Sequence, residues 1–325
     1  MSKNSKKWLI GTGIVAAGAA AVGAGIRAIS HYFVKIAMDR KCPGKVQENI
    51  SKVSGGSVND GLLELTEQAT RQLESAVQTR VEVESHDGLR LIGHWYPAEQ
   101  PKRILIAMHG WRSSWSRDFG VIAPFWHDNG CSVLFAEQRG QGESEGEYMG
   151  FGMPERYDCL KWAQWASENN PDNLPIYLVG LSMGASTVLM TGNLELPENV
   201  RGIMADCGFT SAHDIWKYVA EENLHLRFTV HAAAANDLCK KKINIGSQEC
   251  STVDALKQSK VPVLFIHGAD DNFVPVRMTY ENYAACTSEK HLLIVPGADH
   301  AMSYCVEQDR YEKAAKDFWK AYDYI

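Results

Sequence analysis

From residue 103 onward the chain alternates between short, almost unbroken apolar runs and longer stretches with helical spacing. The apolar runs fall at residues 103–108, 132–136, 175–180, 200–205, 261–267 and 291–295. Continuous hydrophobicity over such short lengths is what parallel strands covered on both faces require. Between these runs, apolar spacing predicts helices over 115–129, 154–169, 183–194, 278–285 and 304–322. Strands alternating with helices imply an α/β domain with a mostly parallel central sheet, helices on both faces and right-handed crossovers. Ahead of this, residues 80–96 alternate apolar and polar positions around His86-Asp87-Gly88, which predicts an antiparallel hairpin at the start of the domain.

One interval breaks the rhythm. About fifty residues separate the strand ending near Asp206 from the one opening at Val261. An insertion of that length is expected to be a short helical lid over 207–260, with helices at 212–223 and 226–238 above the carboxyl edge of the sheet. Upstream, residues 42–60 turn to Pro, Gly, Ser and Asn and read as a linker. Leu62, Leu63, Leu65, Ala69, Leu73 and Val77 then carry the spacing of a lead-in helix. The expected division is a segment 1–40, a linker and lead-in helix 41–79, and a domain 80–325 holding the insertion.

The first segment has a pattern of its own. Lys3, Lys6 and Lys7 precede an uncharged, Ala- and Gly-rich run of 19 residues, Trp8 to Ile26. That is just enough helix to span a hydrocarbon core of about 30 Å. Apolar character resumes after Arg27, which fits a retained transmembrane anchor at the cell membrane, the lysines inside and the domain extracytoplasmic. The alternative is a cleaved secretory signal and a secreted protein, since small-residue cleavage options such as Ala-Gly-Ala are present.

Composition adds exclusions. The 325 residues are 45% apolar and 22% charged, as in ordinary globular chains. A net charge of −6 offers no electrostatic basis for binding nucleic acid. Eight cysteines are scattered without a Cys-x-x-Cys pair and read as buried free thiols, although Cys239 and Cys250 are near enough in sequence to bridge. No His-Glu-x-x-His or Gly-x-x-x-x-Gly-Lys-Ser/Thr occurs, so neither a metal nor a cofactor is expected.

The chemistry is concentrated at strand ends. The run Ile176 to Leu181 stops in Gly180-Leu181-Ser182-Met183-Gly184, and a small-residue helical pattern follows. A strand that turns into a helix within a few residues puts Ser182 on a sharp bend with its hydroxyl projecting, the nucleophile elbow. The N-terminus of the new helix directs unpaired N–H groups at the same point. A serine hydroxyl still needs a base, and that base needs an orienting carboxylate. In this topology the order is Ser, acid, His. The strand after the insertion ends in His267-Gly268-Ala269-Asp270-Asp271-Asn272-Phe273-Val274-Pro275, and the next ends in Pro296-Gly297-Ala298-Asp299-His300. An acid and a histidine thus follow separate strands on the edge where Ser182 is expected.

These residues, with His109-Gly110-Trp111 and Arg139-Gly140-Gln141-Gly142-Glu143-Ser144, make the chain from about residue 80 resemble a serine hydrolase of the α/β-hydrolase fold. It is similar to the dienelactone-hydrolase and prolyl-oligopeptidase-like branch and to small N-terminally anchored esterase-like bacterial members. Residues 1–79 lie outside the resemblance. It implies Ser182 as nucleophile and His300 as general base. The family pattern His-Gly-x-x-Asp-x-x-Val-Pro puts the acid on Asp271, with Asp270 as its neighbour. The backbone N–H groups of Trp111 and Met183 would form the oxyanion hole. His109 and His267 read as structural loop residues, and Glu137 and Asp158 as ties for the Arg139 turn. The implied function is hydrolysis of a carboxylic ester of a small-molecule acyl substrate through an acyl-serine. The same machinery also serves peptidases, amidases and acyltransferases, and a non-catalytic binding relative is the remaining class.

Overall fold

The computed structural model describes residues 23–41, 60–76 and 79–324. Eight strands form one sheet: β1 (Thr79–Glu84), β2 (Arg90–Tyr96), β3 (Arg103–Met108), β4 (Cys131–Ala136), β5 (Ile176–Leu181), β6 (Val200–Asp206), β7 (Val263–Gly268) and β8 (Lys290–Val295). Their order across the sheet is β1-β2-β4-β3-β5-β6-β7-β8. β2 pairs antiparallel with both β1 and β4, and every neighbouring pair from β4 to β8 is parallel.

Strand β3 shows why the apolar runs are continuous. All six of its residues are buried. Leu105 and Ala107 enter one core with Trp126, Phe135 and Trp319, while Ile104, Ile106 and Met108 enter the other with Trp162, Val188 and Phe265. From Ile104 onward, with a core on each face, the strand has no position left for a polar side chain. Because the parallel strands run the same way, their carboxyl ends gather at one edge, and the loops after β3, β5, β6, β7 and β8 meet there.

The predicted helix over 115–129 is two helices, Trp115–Phe119 and Ala123–Asp128. The break falls beside Gly120. A side chain at Gly120 would lie 2.9 Å from the carbonyl carbon of Ala69, so the helix Asp60–Ser75 runs backbone-close against this point. The predicted terminal helix also divides, into Ser303–Val306 and Gln308–Tyr322.

The insertion is helical as expected, with helices Ala212–Tyr218, Ala232–Ile243 and Thr252–Leu256. Ile215, Trp216, Ala235 and Cys239 from the first two are buried in a third apolar cluster with Met149, Phe151 and Met153. Val34, Ala37 and Met38 of the N-terminal segment enter the same cluster.

That placement goes with a correction. The expected transmembrane helix is not found: among the described residues, no helix is long and apolar enough to cross a membrane. Residues 8–22 of the expected span lie outside the described residues, as does the linker over 42–59. What is described, a helix over 23–38, is one-sided. Ser30, Val34, Ala37 and Met38 are buried, whereas Arg27, His31 and Lys35 are exposed on the other side. Of the apolar residues past Arg27, Phe33, Val34, Ala37 and Met38 pack against the domain, while Ile29 and Tyr32 stay exposed. Among the described residues Cys239 and Cys250 are both free thiols, so the bridge their spacing permitted is not formed.

Candidate active site

Ser182 sits between β5 and the helix Met183–Thr191 with φ 56° and ψ −115°, a backbone conformation that a non-glycine residue adopts only under constraint. The constraint is visible on both sides. The Ser182 N–H donates to the Asp206 carbonyl at 2.9 Å, tying the bend to the end of β6. A Cβ on Gly184 would lie 1.8 Å from the Met108 carbonyl oxygen, and one on Gly180 would lie 2.2 Å from the Gly184 oxygen. Only hydrogen fits at either position, which is why the strand can become a helix so abruptly.

The structure brings the side chain of His300 to this bend. Its Nε2 lies 3.0 Å from Ser182 Oγ, and its Nδ1 lies 2.7 Å from Asp271 Oδ2. All three residues are buried, at 6%, 7% and 6% exposure, so the contacts work outside bulk water. Asp271 rather than Asp270 is the carboxylate in contact; Asp270 is exposed. The other oxygen of Asp271 accepts the N–H groups of Phe273 and Val274 at 2.9 and 2.8 Å.

Burial pushes the Asp271 carboxyl up, but the His300 charge and the hydrogen bonds from His267 and His300 outweigh it and hold the group well below the usual carboxylate range. For His300, burial opposes the charged ring, while the Cys207 sulfur and the Asp271 carboxylate raise its pKa well above the ordinary imidazole value. Burial pushes the Cys207 thiol itself up to about 11, so near neutral pH this sulfur is uncharged and Asp271 remains as the cause.

The chain is similar to known proteins in part of its sequence and in its fold. A family model described as serine aminopeptidase, S33, matches residues 99–238. The Bacillus subtilis uncharacterized protein YqkD is 27% identical over 225 residues, covering 69% of this chain and 73% of that protein. Among solved structures, an esterase of Pyrococcus furiosus superposes with a TM-score of 0.62 at 20% identity, covering 78% of this chain and 94% of its own. A dienelactone hydrolase from Anabaena variabilis superposes with a TM-score of 0.55 at 17% identity, covering 76% and 98%. The chain resembles known hydrolases over residues 99–238 and has the α/β-hydrolase fold. The partial family match and the shared fold together support hydrolase activity.

A cleft of about 820 Å³ opens over Ser182. The loop after β3 and residues 300–305 line it, with Phe119, Ile122 and Trp126 among its apolar walls. Its outer wall is the lead-in helix, through Leu63, Thr66, Glu67, Thr70 and Arg71. No residue of the insertion 207–260 lines this cleft. Asp206 does, and burial pushes its carboxyl up to about 6 against the pull of His267 and a hydrogen bond from Ser303.

Met183 is the first residue of its helix, where an N–H has no partner within the helix. Trp111 lines the cleft beside Ser182, on a loop tied down from two directions. From inside, Asp118 accepts the Gly110 N–H at 2.7 Å and also takes the Ser113 hydroxyl. From outside, the N-terminal segment supplies carbonyl acceptors. The Trp111 indole N–H donates to Ala37 at 2.7 Å, and Arg112 donates to Ile36 and Asp39 at 2.6 Å each.

The roles of the supporting residues were only partly legible in sequence. His267 is more than a loop residue: its Nε2 lies 3.1 Å from Asp271 Oδ2 and 2.8 Å from the Val274 oxygen, and its Nδ1 lies 2.6 Å from Thr279 Oγ1. The tautomer that satisfies all three has the proton on Nε2 and accepts from the threonine hydroxyl. Its place four residues before the acid was the available hint. Glu137 bonds His94 at 2.9 Å and the Glu143 N–H, and Asp158 holds Arg139 through two bonds of 2.6 Å. Two groups of possible metal donors occur among the described residues. In Cys207–Asp271–His300 the carboxylate and ring are already bonded to each other, and in His86–Asp87–Asp158 the two carboxylates bind Arg139.

Proposed function

We propose that this protein is a serine hydrolase that cleaves a carboxylic ester through an acyl-Ser182 intermediate. What supports this reading is one chain of contacts, Ser182 Oγ to His300 Nε2 at 3.0 Å and His300 Nδ1 to Asp271 Oδ2 at 2.7 Å, at the base of an open cleft. His300 takes the proton as Ser182 Oγ attacks the ester carbonyl carbon. The carbonyl oxygen becomes an oxyanion facing the N–H groups of Trp111 and Met183, each donor worth about 3 kcal/mol of transition-state stabilisation. When the tetrahedral adduct collapses, the C–O bond to the alcohol breaks and His300 returns its proton to the departing oxygen. Water then repeats the sequence on the acyl-enzyme and frees the acid. Asp271 keeps one tautomer of His300 and stabilises the imidazolium formed in each half.

The cleft argues for an ester with an apolar acyl chain. Its volume lies in the range of about 300–1,000 Å³ that holds drug-sized ligands, far more than an acetyl group fills. Leu63, Phe119, Ile122 and Trp126 line it. Burying one CH₂ contributes about 0.8 kcal/mol. On a panel of p-nitrophenyl esters, kcat/KM is expected to rise roughly three- to fourfold per methylene until the cleft is filled. A fluorophosphonate probe should label the wild type and not Ser182→Ala. Labelling of that variant would move the nucleophile elsewhere. A second reading, cleavage of an amide, is favoured by the serine aminopeptidase description of the matching model. Faster turnover of p-nitroanilides than of matched esters would select it.

A further inference from the structure

We propose that residues 30–41 are a clamp for the oxyanion loop and that Arg112 is its positioning residue. The inference rests on the reading of the Trp111 N–H as an oxyanion donor. Arg112 has φ 51°, in the left-handed region that a side-chain-bearing residue occupies only when something holds it. What holds it is the C-terminal end of the helix over 23–38. Its guanidinium reaches the carbonyls of Ile36 and Asp39 at 2.6 Å each and that of Arg40 at 3.4 Å. A helix end leaves carbonyls without partners and carries partial negative charge, and a cation placed there answers both. The neighbouring Trp111 indole bonds Ala37 at 2.7 Å. Two consecutive side chains of the loop therefore grip one helix end, and the donor N–H lies on the backbone just before the first of them.

The helix end is itself anchored to the domain. Met149 N–H donates to the Met38 carbonyl at 2.7 Å, and Arg40 N–H donates to Glu147 at 2.8 Å. Lys242 pairs with Asp39 at 2.6 Å, and the Arg40 side chain reaches the carbonyls of Ser144 at 2.7 Å and Gly142 at 2.6 Å. Val34 and Met38 are fully buried. Such anchoring lets the segment act as a fixed post. An N–H that must meet an oxyanion only in the transition state gains most from being aimed before the charge forms. Residues 30–41 thus belong to the working enzyme.

The test uses the full chain. Arg112→Ala should lower kcat for a p-nitrophenyl ester about ten- to a hundredfold with KM within about threefold, the pattern of an interaction made only in the transition state. Affinity for a trifluoromethyl ketone, which forms a tetrahedral adduct, should fall in parallel. Trp111→Phe keeps an aromatic ring and the main chain but removes the indole donor, and should give a smaller loss of the same kind. Met38→Asp, outside the cleft, should reproduce it by detaching the helix end. If Arg112→Ala does not fold, Arg112→Gln takes its place. A kcat within about twofold of wild type in both the Arg112 and Met38 variants overturns the clamp. So does a loss confined to KM. If wild type takes up the fluorophosphonate but turns over no ester, the ester reading fails and the labelling rates of the same variants still decide the clamp. No labelling of wild type overturns both.

Discussion

Asp271 accepts two backbone N–H groups on one oxygen and faces two histidine rings on the other, and this determines how the site responds to pH. In its proposed role His300 acts as a base only when neutral, and its pKa is raised. The acid limb of kcat/KM, which reports the free enzyme, should therefore inflect above the ordinary imidazole value of about 6.5. Asp271→Asn removes the negative charge that favours imidazolium, so the inflection should move down while kcat falls about 10⁴-fold. A pH–rate profile of both proteins checks this, and an inflection that stays in place in the variant would remove Asp271 from the account. The same groups bear on stability with opposite signs. The raised His300 pKa contributes stability that is full below about 6.5 and lost as pH rises through the folded value. The depressed Asp271 pKa contributes stability present above about 3.9 and lost as pH falls through the folded value. His267→Phe would leave the Val274 carbonyl and Asp271 each short of a donor, a loss of about 1–3 kcal/mol in denaturant unfolding.

At the scale of elements, the bend at Ser182 depends on the absence of two side chains. Gly184→Ala forces a methyl to 1.8 Å from the Met108 oxygen, and backbone on both sides prevents escape. The variant should lose about 3 kcal/mol or more, or fail to fold, whereas Ser182→Ala at the same bend should stay near wild type. Thermal melts of the two separate them. This bend was legible in the sequence because its cause is local: a β-leaning run, Gly-x-Ser-x-Gly, then small residues. The strands were legible for a related reason, since two-sided burial leaves a continuous apolar run. The helix over 115–129 was misjudged because its break answers to Ala69, some fifty residues upstream. The roles of Arg112, Asp118 and His267 depend likewise on partners brought in by the fold. The helix over 23–38 looked like more of an anchor because Ile29, Tyr32, Phe33 and Val34 resume apolar character after Arg27. Only the packed partners reveal which side is buried.

At the scale of the whole molecule, the parallel sheet separates a stabilising cluster from the proposed catalytic residues. The loops carrying Ser182, Asp271 and His300 leave the carboxyl ends of β5, β7 and β8. At the other end, Arg103 opens β3 and pairs with Asp323 at 2.7 Å, just after the terminal helix. Both side chains are buried, at 8% and 6% exposure. Tyr177 donates to the same carboxylate at 2.9 Å, and the Arg103 guanidinium lies 4.5 Å from the Trp319 ring centroid. Removing one partner of a buried ion pair leaves the other charge without compensation and costs about 3–5 kcal/mol. Asp323→Ala should therefore lower the unfolding free energy by about that much. A six-residue strand spans roughly 20 Å, and no residue of this cluster lines the cleft. Below the lowered melting temperature, ester kcat/KM should stay within about twofold of wild type. Joint measurement of urea unfolding and steady-state kinetics decides the matter. A folded Asp323→Ala protein with a tenfold loss of kcat/KM would mean that the two ends of the sheet are coupled.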